Sequence, residues 1–483
     1  MPQQVQSDSN PAVTLAPIKF GTDGWRAIIA EDFTFANARI VANAVARYII
    51  RSEDPRKGVI VGYDHRFASD TVAAAVAETI AATGTPVWLT DKPCPTPAVS
   101  LLVRQRDAAG GLVITASHNP YRWNGIKYKA SYGSSALPSI VAQIENELDA
   151  AQNHPTPPLP RRKNLLHTID PRAPYLDTLE KLVDWDRLRK ANFRFVSDPM
   201  HGSSAGLLRE LFTRNKIACE EIRGTRDPRF GGAHPEPIEP HIQPLREAVL
   251  AGKFDAGFCS DGDGDRIGAI DRDGSFLNPH QLFSLLAWHL AGARNLPGDI
   301  AKTFSVTKLI DKIAHRFGRK LHEVSVGFKY ICELMLEQNI LIGGEESGGF
   351  GTSLHLPERD ATVSALFLAE LMAWHGKSLG QLLAALHSEF GEYHYGRVDL
   401  DVQPHQKQKA IAYFGDPALS QFLDWPVPHR EDLDGIKIYL GEIGWVMVRA
   451  SGTENLLRVY CETSTRETTA RVLSGVTAIV RNL

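Results

Sequence analysis

The amino-acid sequence predicts an α/β protein built from several domains, and three observations support this prediction. The chain has 483 residues, well beyond the ~150 residues of an average domain. Short β-branched runs alternate with helical patterns through three successive stretches of the chain, as is typical of α/β units. From about residue 389 the pattern changes to several strands and one final helix. We therefore predict three similar mixed α/β domains and a smaller C-terminal α+β domain.

The predicted domain boundaries follow breaks in this alternation. Residues 1–17 are polar and contain Gln, Ser and Pro, so they are predicted to be a disordered lead-in. The first α/β domain is predicted at 18–160 and ends in the proline-rich linker 153–160. The predicted boundaries of the remaining domains are 161–271, 272–388 and 389–483.

The predicted elements of the three α/β domains follow in order. In the first domain we expect strands at 59–63, 87–90 and 111–115 and helices at 34–50, 68–83 and 96–106. In the second we expect strands at 193–197, 217–222 and 256–260. The glycine- and proline-rich run 230–240 has neither pattern and is predicted to be a structured loop. In the third we expect strands at 300–304, 321–326 and 340–342, with helices at 281–292, 307–317, 328–338 and 361–375.

Composition narrows the possible classes of function. The net charge of −3 gives no basic surface for nucleic acid or an anionic membrane. The five cysteines are scattered, which argues against disulfides or a zinc site and suits a reducing compartment. No apolar stretch is long enough to span a bilayer, and residues 1–17 lack the charged start and apolar run expected of a signal peptide. We expect a cytoplasmic protein, and the sequence implies no protein partner.

The segment Thr-Ala-Ser-His-Asn-Pro at 115–120 is the first candidate site. It follows an apolar run that predicts a buried strand, and Pro120 lacks the amide hydrogen needed to continue a ladder. Ser117 is therefore expected on a surface loop at the carboxyl end of a central strand, where open α/β sheets bind ligands. The serine could be a nucleophile with His118 as its neighbour, or a polar turn residue.

Two basic residues could face this serine. Residues 21–26 form a glycine-containing loop that ends in Arg26, whose planar guanidinium suits phosphate or carboxylate. A plain turn with a surface arginine explains this loop equally well. Asn124-Gly125 predicts a turn followed by a strand at 126–129. That turn could fold Lys127 back beside the serine.

Three aspartates, Asp261, Asp263 and Asp265, alternate with glycines after a predicted strand. Like charges at this spacing repel each other, and glycines weaken regular structure. A divalent cation explains both features, because carboxylate oxygens suit Mg²⁺ and glycines let the loop wrap around it. An EF-hand is excluded, since Arg266 and Arg272 occupy the positions that require Gly and Glu. A solvated acidic turn is the alternative.

Residues 343–349 form a glycine-rich loop that carries Glu345 and Ser347. A carboxylate and a hydroxyl on such a loop suit the vicinal hydroxyls of a sugar, although the loop could equally be merely acidic.

Residues 449–455 combine Arg449 with Ser451 and Thr453 and with the loop amides near Gly452. This set suits three phosphate oxygens, and a surface turn between two strands is the alternative. A hydroxyl nucleophile, a metal loop, a sugar loop and a phosphate loop together predict phosphoryl transfer.

The chain resembles the α-D-phosphohexomutases, the family of phosphoglucomutases and phosphomannomutases, across nearly its full length. The resemblance rests on five motifs in order: Phe-Gly-Thr-Asp-Gly-Trp-Arg at 20–26, Thr-Ala-Ser-His-Asn-Pro at 115–120, Asp-Gly-Asp-Gly-Asp-Arg at 261–266, Gly-Glu-Glu-Ser-Gly at 344–348 and Arg-Ala-Ser-Gly-Thr-Glu at 449–454. It implies four domains around a central cleft, each contributing one loop.

The resemblance also implies roles for individual residues. Ser117 would be phosphorylated and would hold Mg²⁺ together with Asp261, Asp263 and Asp265. Lys127, with Arg26 or His118 nearby, would carry the proton. The implied substrate contacts are Arg266, Lys329, Glu345, Ser347, Arg449, Ser451, Gly452 and Thr453.

The implied reaction interconverts hexose 1-phosphate and hexose 6-phosphate, with hexose 1,6-bisphosphate as intermediate and activator. Ala27 stands where many relatives have glycine. Gly349 stands where some dual-specificity members have histidine, which favours glucose over mannose. Two alternatives stay open: a glucose 1,6-bisphosphate synthase that uses the same phosphoserine, and a non-catalytic sugar-phosphate sensor.

Overall fold

The computed structural model describes residues 18–21, 23–153, 161–451 and 455–483. The predicted lead-in 1–17 and most of the predicted linker lie outside the described residues. The described residues form four principal sheets with flanking helices and one two-stranded hairpin. This confirms the prediction of three mixed α/β units and one smaller α+β unit.

The first sheet has parallel strands at its centre and antiparallel strands at one side. Its strands are β1 (Trp25–Ile28), β2 (Val59–Tyr63), β3 (Val87–Thr90), β4 (Gly110–Ile114), β5 (Trp123–Ala130), β6 (Ser134–Ser135) and β7 (Leu166–Ile169). Its helices are α1 (Phe35–Ser52), α2 (Ser69–Ala82), α3 (Thr96–Gln105) and α4 (Pro138–Asn153). The order is β1-β5-β4-β2-β3-β7, with β6 on β5. Because β7 pairs with β3, the chain returns to this sheet after the predicted linker.

The second sheet repeats this plan with five strands in the order β12-β11-β10-β8-β9. Its strands are β8 (Arg194–Asp198), β9 (Ala218–Glu221), β10 (Ala256–Ser260), β11 (Ile267–Asp271) and β12 (Phe276–Leu277). Its helices are α5 (Arg172–Leu179), α6 (Trp185–Ala191), α7 (Leu207–Arg214) and α8 (Gln243–Gly252).

The third sheet has four strands in the order β14-β13-β15-β16. Its strands are β13 (Asp299–Thr303), β14 (Leu321–Val324), β15 (Ile340–Gly344) and β16 (Phe350–Thr352). Its helices are α9 (Pro279–Trp288), α10 (Leu309–Arg316), α11 (Phe328–Glu337), α12 (Ala361–His375) and α13 (Leu379–Phe390).

The fourth sheet is entirely antiparallel, in the order β17-β23-β22-β21-β20. The strands of this unit are β17 (His394–Asp401), β18 (Gln421–Phe422), β19 (Trp425–Pro426), β20 (Arg430–Glu431), β21 (Ile436–Tyr439), β22 (Gly444–Ala450) and β23 (Leu456–Thr463). Its helices are α14 (Pro404–Gly415) and α15 (Arg466–Asn482). It has its own apolar core, whereas one continuous core joins the first three units.

Helix α12 explains how that shared core holds the second and third units together. Twelve of its residues are buried, because it packs against α6 of the second unit and α9 of the third. A helix that is apolar on every side must be surrounded by protein. Burial around α12 therefore fixes the positions of the second and third sheets.

Four of the five predicted functional loops occupy one topological position. They connect the antiparallel pairs β4–β5, β10–β11, β15–β16 and β22–β23. In the first three units the first strand of each pair is also bonded in parallel to a neighbour. Each loop therefore lies at the carboxyl end of a buried strand, as predicted for Ser117.

The structure also differs from the sequence predictions. Arg26 lies on strand β1, opposite Gly125 of β5, rather than on a loop. Strand β1, helix α13 and helix α14 were not predicted. None of the described helices is long and apolar enough to cross a membrane.

Candidate active site

Ser117 lies in a buried turn between β4 and β5. Only 1% of the residue is exposed, so the prediction of a surface loop is wrong. The aspartate loop of the second unit covers it, and Ser117 Oγ donates a hydrogen bond to Asp261 Oδ2 at 2.8 Å. His118 Nδ1 lies 3.4 Å from the same hydroxyl. The sequence-predicted nucleophile and acidic loop therefore meet.

The three aspartates converge after β10. One carboxylate oxygen from each of Asp261, Asp263 and Asp265 lies within 4.8 Å of the others, and all three residues are buried. The backbone N–H groups of Asp265 and Arg266 donate to Asp261 Oδ1 at 2.9 and 3.1 Å. The carboxylate of Asp261 thus folds the loop back on itself and directs its other oxygen to Ser117.

The donor set fits a divalent cation. Within the described part of the chain, Oδ1 of Asp263 and Oδ1 of Asp265 are buried and receive no hydrogen bond. Buried acceptors without donors are costly, whereas hard cations prefer carboxylate oxygens. The aspartate loop can therefore hold a metal ion with Asp261, Asp263 and Asp265.

Lys127 projects from β5 into this acidic site. Its ammonium lies 2.9 Å from Asp23, 2.8 Å from Asp263 and 3.0 Å from Asp265. Burial by itself lowers the pKa of Lys127, but these three carboxylates outweigh burial and raise the pKa above its usual range. Lys127 is therefore protonated at neutral pH.

The site also contains Asp23 and Arg359, to which no motif in the sequence assigns a role. Arg359 Nη2 donates to Asp265 at 2.7 Å and to Asp23 at 3.0 Å, and its Nη1 donates to Glu345 at 3.1 Å. Arg359 thereby joins three loops from different units. The available signal was the run Glu358-Arg359-Asp360 directly before α12, because three charges rarely precede a largely apolar, buried helix without partners.

Arg26, His118 and Arg266 border the serine. Arg26 Nη1 donates to Asn119 Oδ1 at 2.7 Å, and Arg266 Nε lies 3.9 Å from Asp265. Burial, and then the charges of Arg266 and Arg26, hold the pKa of His118 well below its usual range. His118 is therefore a neutral imidazole at pH 7, close to the serine hydroxyl.

The predicted sugar loop follows β15. Glu345 is buried beside Arg359, and burial raises its pKa to about 6. Ser347 is half-buried on the same loop. Glu346, between them, lies 3.6 Å from Arg397 of the fourth unit. The sugar loop therefore links the serine and metal site to the C-terminal unit.

The predicted phosphate loop follows β22. Its described residues form a second group of polar contacts, separate from those around Ser117. Arg449 Nε donates to Asp434 Oδ1, and the amide of Val326 donates to Asp434 Oδ2, each at 2.8 Å. This places Arg449 beside the segment that leads to Lys329, a half-buried residue in the first turn of α11. The carbonyl of Ser451 accepts from Lys407 at 3.1 Å. Gly452 and Thr453 lie outside the described residues.

Comparison with known families gives matches along most of the chain. Models described as phosphoglucomutase/phosphomannomutase alpha/beta/alpha domains I, II and III match residues 17–155, 173–274 and 278–390. The model of the C-terminal domain of the same family matches residues 417–479.

Individual relatives cover nearly the full length. A phosphoglucomutase/phosphomannomutase of Thermococcus kodakarensis is 30% identical, with 93% of this chain and 95% of the relative covered. A phosphoglucosamine mutase of Picosynechococcus is 29% identical, with 95% and 91% covered. A crystal structure from Thermus thermophilus, assigned as a phosphomannomutase, superposes with a TM-score of 0.84 at 32% identity, with 96% and 99% covered.

Proposed function

The chain belongs to the phosphoglucomutase/phosphomannomutase family of phosphotransferring mutases, and we propose that it interconverts hexose 1-phosphate and hexose 6-phosphate through phosphorylated Ser117. The contact of Ser117 Oγ with Asp261 carries this proposal. It joins a hydroxyl nucleophile to a carboxylate cluster that fits a cation, beside the buried side chains of Lys127 and Arg359. Such an arrangement suits phosphoryl transfer, where positioning and charge stabilisation supply most of the catalysis.

The proposed metal is Mg²⁺, held by Asp261, Asp263, Asp265 and the phosphorylated Ser117. When bound, this ion would neutralise charge on the transferring phosphoryl oxygens.

The transfer breaks the bond between phosphorus and Oγ of phosphorylated Ser117 and forms a bond from phosphorus to the free hydroxyl oxygen of the substrate. The product is a hexose 1,6-bisphosphate. After the intermediate turns over, its other phosphoryl group returns to Ser117 by the reverse bond changes. The net reaction moves the phosphate between O1 and O6 and regenerates the phosphoenzyme.

A proton must leave the attacking hydroxyl and reach Oγ of the serine. Lys127 is the first candidate for the proton carrier, because its buried ammonium contacts Asp263 and Asp265 of the loop that covers Ser117. His118 is the second candidate, because its Nδ1 lies 3.4 Å from Oγ. We assign Arg26 to hold the serine loop through Asn119 and to bind phosphoryl oxygens.

The remaining predicted residues would bind the rest of the substrate. Glu345 and Ser347 are proposed to contact sugar hydroxyls. Arg449 and Ser451, with Gly452 and Thr453, are proposed to bind the phosphate that is not transferred. Arg266 and Lys329 complete the proposed substrate contacts.

Glucose is the proposed hexose, with mannose the second candidate, because Gly349 replaces a histidine that the resemblance associates with dual specificity. The name of the Picosynechococcus relative, a phosphoglucosamine mutase, makes glucosamine phosphate a necessary third substrate in any test. These sugars differ at C2.

The decisive assay follows ³¹P NMR spectra of the enzyme with Mg²⁺, a trace of glucose 1,6-bisphosphate and either glucose, mannose or glucosamine 1-phosphate. The proposal predicts conversion to the 6-phosphate, fastest for glucose, without accumulation of bisphosphate. Release of one bisphosphate per phosphorylated enzyme, without further conversion to the 6-phosphate, would instead identify a bisphosphate synthase. Absence of any turnover with all three sugars would favour a sugar-phosphate sensor.

A further inference from the structure

One buried arginine holds the backbone of the serine loop. Arg66 has no exposed surface, and its terminal nitrogens donate to three carbonyls of the serine loop and to that of the first residue of β5. These are the carbonyls of Ser117 at 2.6 Å, Asn119 at 2.7 Å, Pro120 at 3.0 Å and Trp123 at 3.0 Å. The fifth N–H, on Nε, donates to Asp64 at 3.1 Å. A guanidinium has five N–H donors in a fixed plane, and all five are used here.

The loop needs this support because of its backbone conformation. Ser117 has a φ of 53°, in the left-handed region that residues other than glycine rarely adopt. Its amide donates to Thr115 Oγ1 at 2.9 Å, and that hydroxyl donates to Asp64 at 2.7 Å. Asp64 therefore fixes the amide side of Ser117 through Thr115, and Arg66 fixes the carbonyl side.

A loop of the second unit covers Arg66. We call residues 226–240 the clasp loop; it contains the glycine- and proline-rich run that showed no regular pattern in the sequence. The ring centroid of Phe230 lies 4.9 Å from the Arg66 guanidinium carbon, and only 2% of Phe230 is exposed. Arg226 donates to the carbonyls of His65 at 3.3 Å and Arg66 at 3.4 Å. The clasp loop thus packs on the side chain that holds Ser117.

The same clasp loop contacts the aspartate loop. The amide of Gly262 donates to the carbonyl of Pro235 at 3.2 Å. A Cβ atom on Gly262 would lie 2.5 Å from the carbonyl oxygen of Ser117 and 3.2 Å from Pro235 Cγ. Glycine is required there, because the serine, aspartate and clasp loops approach one another so closely. Their contacts set the distance between the serine and the carboxylates.

We propose that Arg66 and Phe230 are positioning residues for phosphoryl transfer. Arg66 fixes the backbone of Ser117, and the clasp loop fixes that backbone against the aspartate loop. Both act through the loop rather than on the reacting atoms. The proposal rests on the proposed role of Ser117 as the phosphoryl carrier. Misplacement of a reacting group by about 1 Å can slow a reaction on the order of 100-fold, so loosening this contact should reduce turnover strongly.

The first test replaces Phe230 with leucine and uses Phe254→Leu as the matched control. Phe254 belongs to the same unit, is 4% exposed and also packs on an arginine, Arg194, at 5.0 Å. The rate at which glucose 1,6-bisphosphate phosphorylates Ser117 is measured in a single turnover, together with kcat, KM and the unfolding temperature. Phe230→Leu is expected to slow phosphorylation and kcat at least about tenfold while KM changes little. Phe254→Leu should lower the unfolding temperature similarly and keep both rates.

Equal slowing in the two variants, or a Phe230→Leu effect confined to KM, would overturn the proposal. Arg66→Lys provides an independent arm, because one ammonium cannot bridge four carbonyls and a carboxylate. The phosphorylation rate of Arg66→Lys should fall further than that of Phe230→Leu. If Arg66→Lys does not fold, the result for Phe230→Leu alone tests the proposal. If wild type, Phe230→Leu and Arg66→Lys are all phosphorylated equally fast, the positioning role of Arg66 and Phe230 is refuted, while the proposed function stays intact. A wild-type Ser117 that accepts no phosphoryl group would overturn both.

Discussion

Ser117 Oγ and Asp261 Oδ2 are joined by a hydrogen bond of 2.8 Å, although the two residues lie 144 positions apart on loops of different sheets. Each residue follows the last strand of a parallel set and precedes an antiparallel strand. The two loops therefore face each other from equivalent ends of two similar sheets. The serine motif and the aspartate motif, which are separate in the sequence, therefore form one site, and the role of each residue in it can be tested by substitution.

Replacing Ser117 with alanine should abolish phosphorylation by glucose 1,6-bisphosphate and lower turnover by at least about 1,000-fold. The fold should persist, because the change removes one hydrogen bond to a carboxylate, worth about 2 kcal/mol. Intact mass and circular dichroism measure the two effects. Ser284→Ala, which removes a buried hydroxyl on α9, is the control and should retain activity. Near-normal turnover in Ser117→Ala would exclude this serine as the carrier.

Replacing Asp263 with asparagine should weaken binding of Mn²⁺, used as a spectroscopic probe for the metal site, by at least about tenfold. The change removes one of three negative charges that converge within 4.8 Å. Electron paramagnetic resonance titration measures free Mn²⁺ directly. Asp271→Asn tests the specificity of the effect, because Asp271 is buried on β11 but accepts a hydrogen bond from Ser378 instead. Equal Mn²⁺ affinity in wild type and Asp263→Asn would contradict the metal assignment.

The pH dependence of kcat/KM should report the protonation of the Glu345 carboxylate. Burial raises its pKa to about 6, so the side chain loses its charge as the pH falls through that value. A protonated Glu345 pairs less well with Arg359 and accepts hydrogen bonds from sugar hydroxyls less well, so kcat/KM should fall on the acid side. The substrate phosphate also titrates near pH ~6, but equally in every variant.

Glu345→Gln should therefore lower kcat/KM at pH 8 and make its acid limb shallower than in wild type. Glu221→Gln serves as the control, since burial also raises the pKa of Glu221 but the residue lies on the edge strand β9. Identical acid limbs in wild type and Glu345→Gln would rule out Glu345 as the titrating group.

Lys127→Met should reduce kcat by about 10²- to 10⁴-fold, the usual range for a lost proton carrier. The variant also leaves Asp23, Asp263 and Asp265 without their shared ammonium, so unfolding is measured with Mg²⁺ present. Lys302→Met removes another fully buried lysine, on β13, and should keep turnover. If the kcat of Lys127→Met stays within tenfold of the wild-type value, Lys127 is not the proton carrier and His118 becomes the candidate.

The sequence predicted those parts of the molecule whose signal is local. Strand β10 matches its predicted range, because five buried residues are followed at once by an acidic turn that cannot extend a ladder. The aspartates, Lys127 and Glu345 were predicted because chemistry-bearing residues stood on glycine-rich loops or beside them.

Features that depend on distant contacts were not predicted. Arg359 donates a hydrogen bond to Asp23, which lies 336 positions away in the sequence. No periodicity in the segment around Arg359 indicates that partner. Ser117 was expected at the surface, because the sequence of the first unit does not show that the second unit covers it. The clasp loop lacks any repeating pattern, since its conformation is set by Arg66 and Gly262 rather than by a ladder.

The most direct test of the central claim is phosphopeptide mapping after the enzyme is incubated with ³²P-labelled glucose 1,6-bisphosphate and Mg²⁺. The account predicts one label per chain, on the peptide that contains Ser117, and loss of that label to hexose phosphate when unlabelled glucose 1-phosphate is added. Label on another residue, or label on Ser117 that glucose 1-phosphate does not remove, would contradict it.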